Sequence, residues 1–528
     1  MSVAIGLAPR SVPARLPVRL DLHWRMRAWN QAMSYSQRLP IRTYTSSKVT
    51  EPVASQLYAC TWLTTTPDQL TPEDIFSNLP LTAPNLPSQY VPILLFTPGL
   101  ASWANAKGIF LEQWMNRFYQ NTSDSPSHIH AITAVIDRLP YKHVQGSSRD
   151  MPEAEGVSVL LARGENILSK AVSPRQVRSV ETEEPALLFS FCKDTQDAQV
   201  AHHPVHEIGL RLANTIFLNG KENTLVGARW SYDPSLERVR LESALDLSRC
   251  SVTVTPTRLD SALELPLYPV GERRKVISSM GNILRQISKH IEGTSTEPMP
   301  ASSELEKELP RYIEEHDISD RRVSVWALIE TSAESPYIRS RHSSSGLAQA
   351  IVNGAKLHRV MSGGGGWGKK QGLLSLDPEM SFGQPSNESL QSLDNILSNT
   401  AADSVNGLDF SLELPTSLQD LSTLSQAAEP GNYVQFFVSV EASQPHSDSS
   451  PTTSSNCLSV DFGVVSNADS LLSHRAPQKD LVTVPNYFGA LSEKAVSFLQ
   501  PVSEPEPNMF GSCTKIDVPG SRIRLELQ

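Results

Sequence analysis

Among the longest uninterrupted apolar runs of this 528-residue chain is Val91-Pro92-Ile93-Leu94-Leu95-Phe96, closed by Pro98-Gly99. Runs this short fall far below the roughly eighteen residues that a membrane-spanning helix requires. A continuous apolar run bounded by turn residues is instead the mark of a strand buried on both faces. Ile129 to Ile136, Gly156 to Leu161 and Ala186 to Cys192 read as further strands. A helix from Gly108 to Tyr119 places Phe110, Leu111, Trp114 and Phe118 on one side. Strands that alternate with helices predict an α/β or α+β fold, with layered mixed sheets and flanking helices. Asn219-Gly220, between apolar segments at Thr215–Leu218 and Thr224–Trp230, predicts a hairpin, because Asn-Gly supplies the positive φ angles of a tight turn.

The chain divides into two regions, 52–292 and 304–528, joined by the linker Gly293 to Ser303. Glu272 to Ile291 reads as a helix, since Val276, Ile277, Met280, Leu284, Ile287 and Ile291 recur at helical spacing. The second region predicts strands at Val323–Ile329, Tyr433–Val440 and Leu458–Val465, and a helix from Leu347 to Leu357. Residues 384–428, poor in aromatics and rich in Ser, Asn, Asp and Gln, predict a long loop or partial disorder. Ser443 to Asn456 is a low-complexity loop between two strands.

The first fifty residues carry Arg10, Arg15, Arg19, Arg25, Arg27, Arg38, Arg42 and Lys48 against the single acid Asp21. A cationic, acid-poor start is what potential-driven import requires, and Arg42-Thr43-Tyr44-Thr45-Ser46-Ser47 resembles a matrix-processing pattern. Residues 1–44 are therefore expected to be a mitochondrial presequence cleaved after Tyr44. A basic tail that binds acidic partners is the competing reading. The net charge of −10 becomes −16 without residues 1–44, which disfavours non-specific nucleic-acid coating. Cys60, Cys192, Cys250, Cys457 and Cys513 form no Cys-x-x-Cys pair and read as buried, reduced residues.

Arg359-Val360-Met361-Ser362-Gly363-Gly364-Gly365-Gly366-Trp367-Gly368-Lys369-Lys370 is the segment that asks for a special explanation. So many glycines cost conformational entropy on ordering, so the backbone either floats freely or approaches something closely. Gly363 to Lys369 fits the start of a phosphate loop, but Lys370 stands where a Ser or Thr hydroxyl must hold magnesium. The run before it also reads as helix rather than strand. Three readings stay open. Backbone N–H groups with Arg359, Lys369 and Lys370 can bind a small anion. The same groups, with Trp367 stacked on a base, can touch RNA. A structural turn packed by Trp367 needs no ligand at all. Arg339, Arg341 and His342 can add cations to the same site, whereas Arg321 and Arg322 read as a polar strand flank.

His202-His203-Pro204-Val205-His206-Glu207 reads as an exposed helix start with Pro204 in its first turn, and no metal site is assigned. No catalytic residue is assigned either, since no nucleophile elbow, zinc-hydrolase pair or dinucleotide fingerprint occurs. The cofactor is unknown. Thr97-Pro98-Gly99-Leu100-Ala101-Ser102-Trp103 can form one wall of a pocket at the carboxyl end of its strand.

The order of the strand ending in Thr97-Pro98-Gly99, the helix, the strand Ile129–Ile136 and Gly156-Val157-Ser158-Val159-Leu160-Leu161-Ala162 resembles the amino-terminal half of the FIST sensory domain. The resemblance implies a small-ligand sensor. Asp137-Arg138-Leu139-Pro140 stands where that family usually carries Gly-Cys-Ser, so no binding residue is carried over. The expectation is a matrix protein that binds a small anionic ligand in a FIST-like role without catalysis. The alternative is an RNA- or ribosome-associated factor in mitochondrial gene expression. A third reading is an enzyme whose site the motifs do not reveal.

Overall fold

The computed structural model describes residues 58–79, 86–119, 128–140, 153–172, 186–192, 204–290, 297–316, 318, 323–331, 344–363, 372–378, 390–402, 427–439, 457–466, 481–500 and 512–528. It is a mixed α/β structure in which strands predominate and sheets are layered. The expected presequence and the Ser443–Asn456 loop lie outside the described residues.

The apolar run 91–96 sits where its pattern requires. The strand Tyr90–Phe96 pairs parallel with Ile129–Val135 on one side and antiparallel with Glu153–Arg163 on the other. Its alternate residues enter two different cores. Ile93 and Leu95 face one that also holds Phe462, Phe488 and Leu525. Leu94 and Phe96 face another, under the helix Ile109–Phe118. That helix buries Phe110, Leu111, Trp114 and Phe118, the side expected from its spacing. Glu112 in its first turn and Arg117 in its last both suit the helix dipole. Trp114 meets Trp62 edge-on at 6.1 Å, so the large rings lock the helix to the sheet.

These strands belong to a fourteen-stranded sheet that runs from Leu481–Pro485 at one edge to Ser512–Ile516 at the other. A four-stranded sheet contains the parallel pair Leu458–Val464 and Tyr487–Ser492. A third, seven-stranded sheet closes on itself into a small barrel, because Tyr268–Met280 pairs with both Tyr433–Ser439 and Ile283–Ser288. Strands from both sides of residues 293–303 share these sheets. Leu481–Pro485, for example, lies beside Tyr58–Thr64, and residues 56–528 form one compact unit.

Several local expectations are corrected. Glu272–Ile291 is not a helix but the barrel hairpin Tyr268–Met280 and Ile283–Ser288, turning at Gly281 with φ 59°. Register shifts between Val276 and Ser279 insert extra residues, so the inward Leu284 and Ile287 stand three apart and imitate a helix, whereas Met280 of the same apparent repeat is exposed. Asn219-Gly220 ends the short helix Ile216–Asn219, and Gly220 supplies its positive φ of 78° as a left-handed cap rather than as a hairpin turn. The helix expected to reach Leu357 stops at Val352, and Lys356–Gly363 is a strand. Within 384–428 a helix, Leu393–Ala402, packs Leu393 and Leu397 into the core. Most of the remainder of that segment lies outside the described residues. Pro204 opens the strand Pro204–Arg211 and not a helix.

Candidate functional site

The strand Lys356–Gly363 pairs antiparallel with Leu374–Leu376, Val360 opposite Leu376 and Gly363 opposite Leu374. The glycine segment is thus the connection of an antiparallel hairpin. A phosphate loop leads from a strand into a helix, whose N-terminus holds the phosphate. Here the chain returns as a strand, which excludes that motif. The helix-like lead-in, offered as a reason from the sequence, is itself wrong. Gly364, Gly365, Gly366, Trp367, Gly368, Lys369 and Lys370 lie outside the described residues. So do Arg321, Arg322, Arg339, Arg341 and His342.

Arg359 stands at the exposed root of this hairpin, opposite Trp326 in the register. Its guanidinium lies 5.8 Å over the indole ring, and its Nη2 donates to Ser324 Oγ at 3.1 Å. Both partners are neutral, and among the described residues no carboxylate forms an ion pair with it. The Trp326 Nε1–H donates to Asp517 Oδ1 at 2.7 Å. Beside them Lys515 Nζ pairs with Asp377 Oδ2 at 2.6 Å, and the Leu357 N–H donates to Thr514 Oγ1 at 2.9 Å. Burial pushes the Asp517 carboxyl up, against the Trp326 bond and the Lys515 and Arg359 charges that pull it down.

His358 faces the other side of the strand, with Ala327 of the barrel core as its cross-strand neighbour. Its Nδ1 donates to the Asp377 carbonyl at 2.9 Å, and burial lowers its pKa, so the ring is neutral. The buried Nε2 has no partner. His358 therefore belongs to the barrel interior and not to the Arg359 surface.

The proposed pocket wall, Thr97 to Trp103, forms a 3-10 helix, Pro98–Ala104, at the carboxyl end of its strand. It is closed by the protein's own groups. The Gly99 N–H donates to Glu155 Oε2, Glu155 also pairs with Arg138, and Trp103 stacks on Phe110 at 4.7 Å. Next to it Asp137 accepts the Glu493 N–H at 2.8 Å, tying the end of one parallel pair to the end of the other. Burial pushes the Asp137 carboxyl up to about 6, despite that bond, the Ser492 hydroxyl and Lys494. A raised carboxyl binds its proton more tightly in the fold, so its stabilisation is complete below the unfolded value near 4 and is lost as pH rises through 6. Acidification from pH 7.5 to 4 is therefore expected to stabilise the wild type relative to Asp137→Asn by ~2–3 kcal/mol. Urea melts of both proteins across that range check it, and a constant difference refutes it.

Comparison with protein families, curated proteins and solved structures finds no match. The site is read from its own geometry.

Among the described residues no three His, Cys, Asp or Glu side chains are grouped to hold a metal ion. Of the histidine cluster, His202 and His203 lie outside the described residues. His206 stacks on Phe498, and Glu207 accepts from Ser190. Cys60, Cys192, Cys250 and Cys457 are buried and form no disulfide. No described helix is long and apolar enough to cross a membrane. Sequence reasoning found Arg359 but missed Ser324, Trp326 and Asp517. Asp517 and Trp326 are separated by 191 positions, and no local pattern joins them.

Proposed function

We propose that this chain binds a small anionic ligand at the root of the glycine hairpin, in a sensory role resembling that of FIST domains and without catalysis. The observation that supports this reading is the exposed Arg359 guanidinium, oriented by an indole ring and a hydroxyl and neutralised by no described acid. An arginine held this way keeps its charge and part of its donor fork for an incoming carboxylate or phosphate. Beyond Gly363 the sequence adds glycines of the kind that form anion-binding nests, and the charges of Lys369 and Lys370.

Arg359→Met keeps the stem over Trp326 but removes the fork. It is expected to weaken binding of a small carboxylate or inorganic phosphate by ten- to a hundredfold, about 1.5–3 kcal/mol, without changing the melting temperature of the free protein by more than ~2 °C. Calorimetric titration of both forms tests this, and equal affinities would remove Arg359 from the site. RNA is the weaker alternative at this place, because the acidic Asp517, fastened to the same indole ring as Arg359, disfavours a polyanionic backbone. We place this activity in the mitochondrial matrix, on the strength of the cationic, acid-poor residues 1–44. A mature protein that begins at Thr45 is the expected product, and retention of Met1 in purified mitochondria would refute import by cleavage.

A further inference from the structure

Arg359 and Asp517 are fastened to two parts of one side chain. The guanidinium lies over the face of the Trp326 ring, and the carboxylate takes the Nε1–H at its edge. Asp517 feels the Arg359 and Lys515 charges, yet among the described residues no ion pair joins it to Arg359, and Lys515 is bonded to Asp377. Trp326 engages both groups, and the Ser324 hydroxyl fixes the guanidinium further. Asp517 Oδ2 takes no hydrogen bond among the described residues. The result is a donor fork over the face of one indole ring and an acceptor oxygen at its edge.

We propose that this pair selects an anion carrying a hydroxyl beside its charge, a small hydroxycarboxylate, with the carboxylate on Arg359 and the hydroxyl donating to Asp517. This rests on the reading of Arg359 as the anion site and adds the class of ligand. A plain carboxylate would satisfy Arg359 but set its negative charge against Asp517 with nothing in return. A hydroxyl on the adjacent carbon converts that repulsion into a charge-assisted hydrogen bond. An ammonium group could also reach Asp517, but it would enter beside Arg359 and Lys515, and the added positive charge disfavours it over a neutral hydroxyl.

The test is calorimetric titration of the full chain with lactate, propionate and alanine, which differ only in a hydroxyl, a hydrogen or an ammonium at one carbon. Wild type should bind lactate about tenfold more tightly than propionate, the effect of one hydrogen bond to a charged acceptor, and more tightly than alanine. Asp517→Asn keeps a carbonyl oxygen for the Trp326 Nε1–H but presents an amide to the ligand. In it the preference for lactate should fall to twofold or less, while propionate binds at least as well as before. Equal binding of lactate and propionate by wild type would overturn the role of Asp517 and leave the Arg359 site standing. Tighter binding of alanine than of lactate would overturn the hydroxyl assignment. Binding of none of the three, up to their solubility, would remove the anion site and this proposal together. The wild-type comparison alone decides the matter if the variant folds poorly.

Discussion

Alanine at position 156 is expected to destabilise the fold by about 4 kcal/mol or more. Gly156 lies opposite Leu63 in the pairing of Glu153–Arg163 with Tyr58–Thr64. Its φ is 150°, which side-chain-bearing residues rarely adopt. A Cβ built there would stand 1.9 Å from the Trp62 carbonyl oxygen and 3.1 Å from Leu139 Cδ1. The carbonyl is backbone of the neighbouring strand and cannot step aside without opening the ladder. Thr97 holds the same residue from the other side, accepting the Gly156 N–H on Oγ1 at 2.8 Å while its own N–H donates to the Gly156 carbonyl. Gly220→Ala is the matched control. It also has a positive φ but meets nothing within 4 Å, so it should cost only about 1 kcal/mol. Chemical denaturation of the two variants checks the contrast, and similar losses would mean that dihedral strain, not the close approach to Trp62, decides at position 156.

Arg522→Met is expected to cost about 3–5 kcal/mol, because it leaves buried charge without its partner. Arg522 is almost wholly buried at the start of the strand Arg522–Leu527. Its Nη1 donates to the carbonyls of Val464 and Ser521, and its Nη2 donates to Glu153 Oε1 at 3.1 Å. It also lowers the pKa of Asp461, whose carboxyl burial pushes up. Glu153 and Arg522 come from different sheets, so the pair fastens the fourteen-stranded sheet to the four-stranded one. Without Arg522, Glu153 loses its cation, and Asp461, whose carboxyl burial already pushes up, takes up a proton more readily. The loss should therefore shrink on acidification. Arg522→Met with Glu153→Gln should recover part of it, since an amide costs less to bury than an unpaired carboxylate. Urea melts at pH 7.5 and 5 of wild type, single and double variants measure both effects. A loss under 1 kcal/mol, or a double variant no better than the single, would mean that water compensates the carboxylates.

Much of the strand framework was legible because each strand carries its own burial pattern. Tyr90–Phe96, Ile129–Val135, Ser324–Glu330, Tyr433–Ser439 and Leu458–Val464 all coincide with apolar runs, since each is covered on both faces. The helix Ile109–Phe118 was legible for the complementary reason, a single apolar side against one core. The barrel hairpin was not. Its bulges disrupt the period of two, and only Gly281 signalled the turn. At the candidate site, Arg359 and the glycines stood out by composition, yet the strand leading into them read as helix because Leu347 to Val352 carried the periodicity past Gly354.

What the chain determines by itself are its local elements, for which the information lies within a dozen neighbouring residues: apolar alternation, a continuous buried run, glycine where φ must be positive. The tertiary structure alone decided which strands pair. Leu481–Pro485 lies beside Tyr58–Thr64, and the barrel draws its strands from the separate segments 268–300, 324–330, 356–376 and 433–439. It also decided what surrounds Arg359. Ser324, Trp326 and Asp517 meet there because the barrel packs against the edge strand Ser512–Ile516, and long-range pairing of this kind leaves no trace in local spacing. A charge is visible in the sequence, but whether it is paired or open depends on which distant side chains the packing brings within reach.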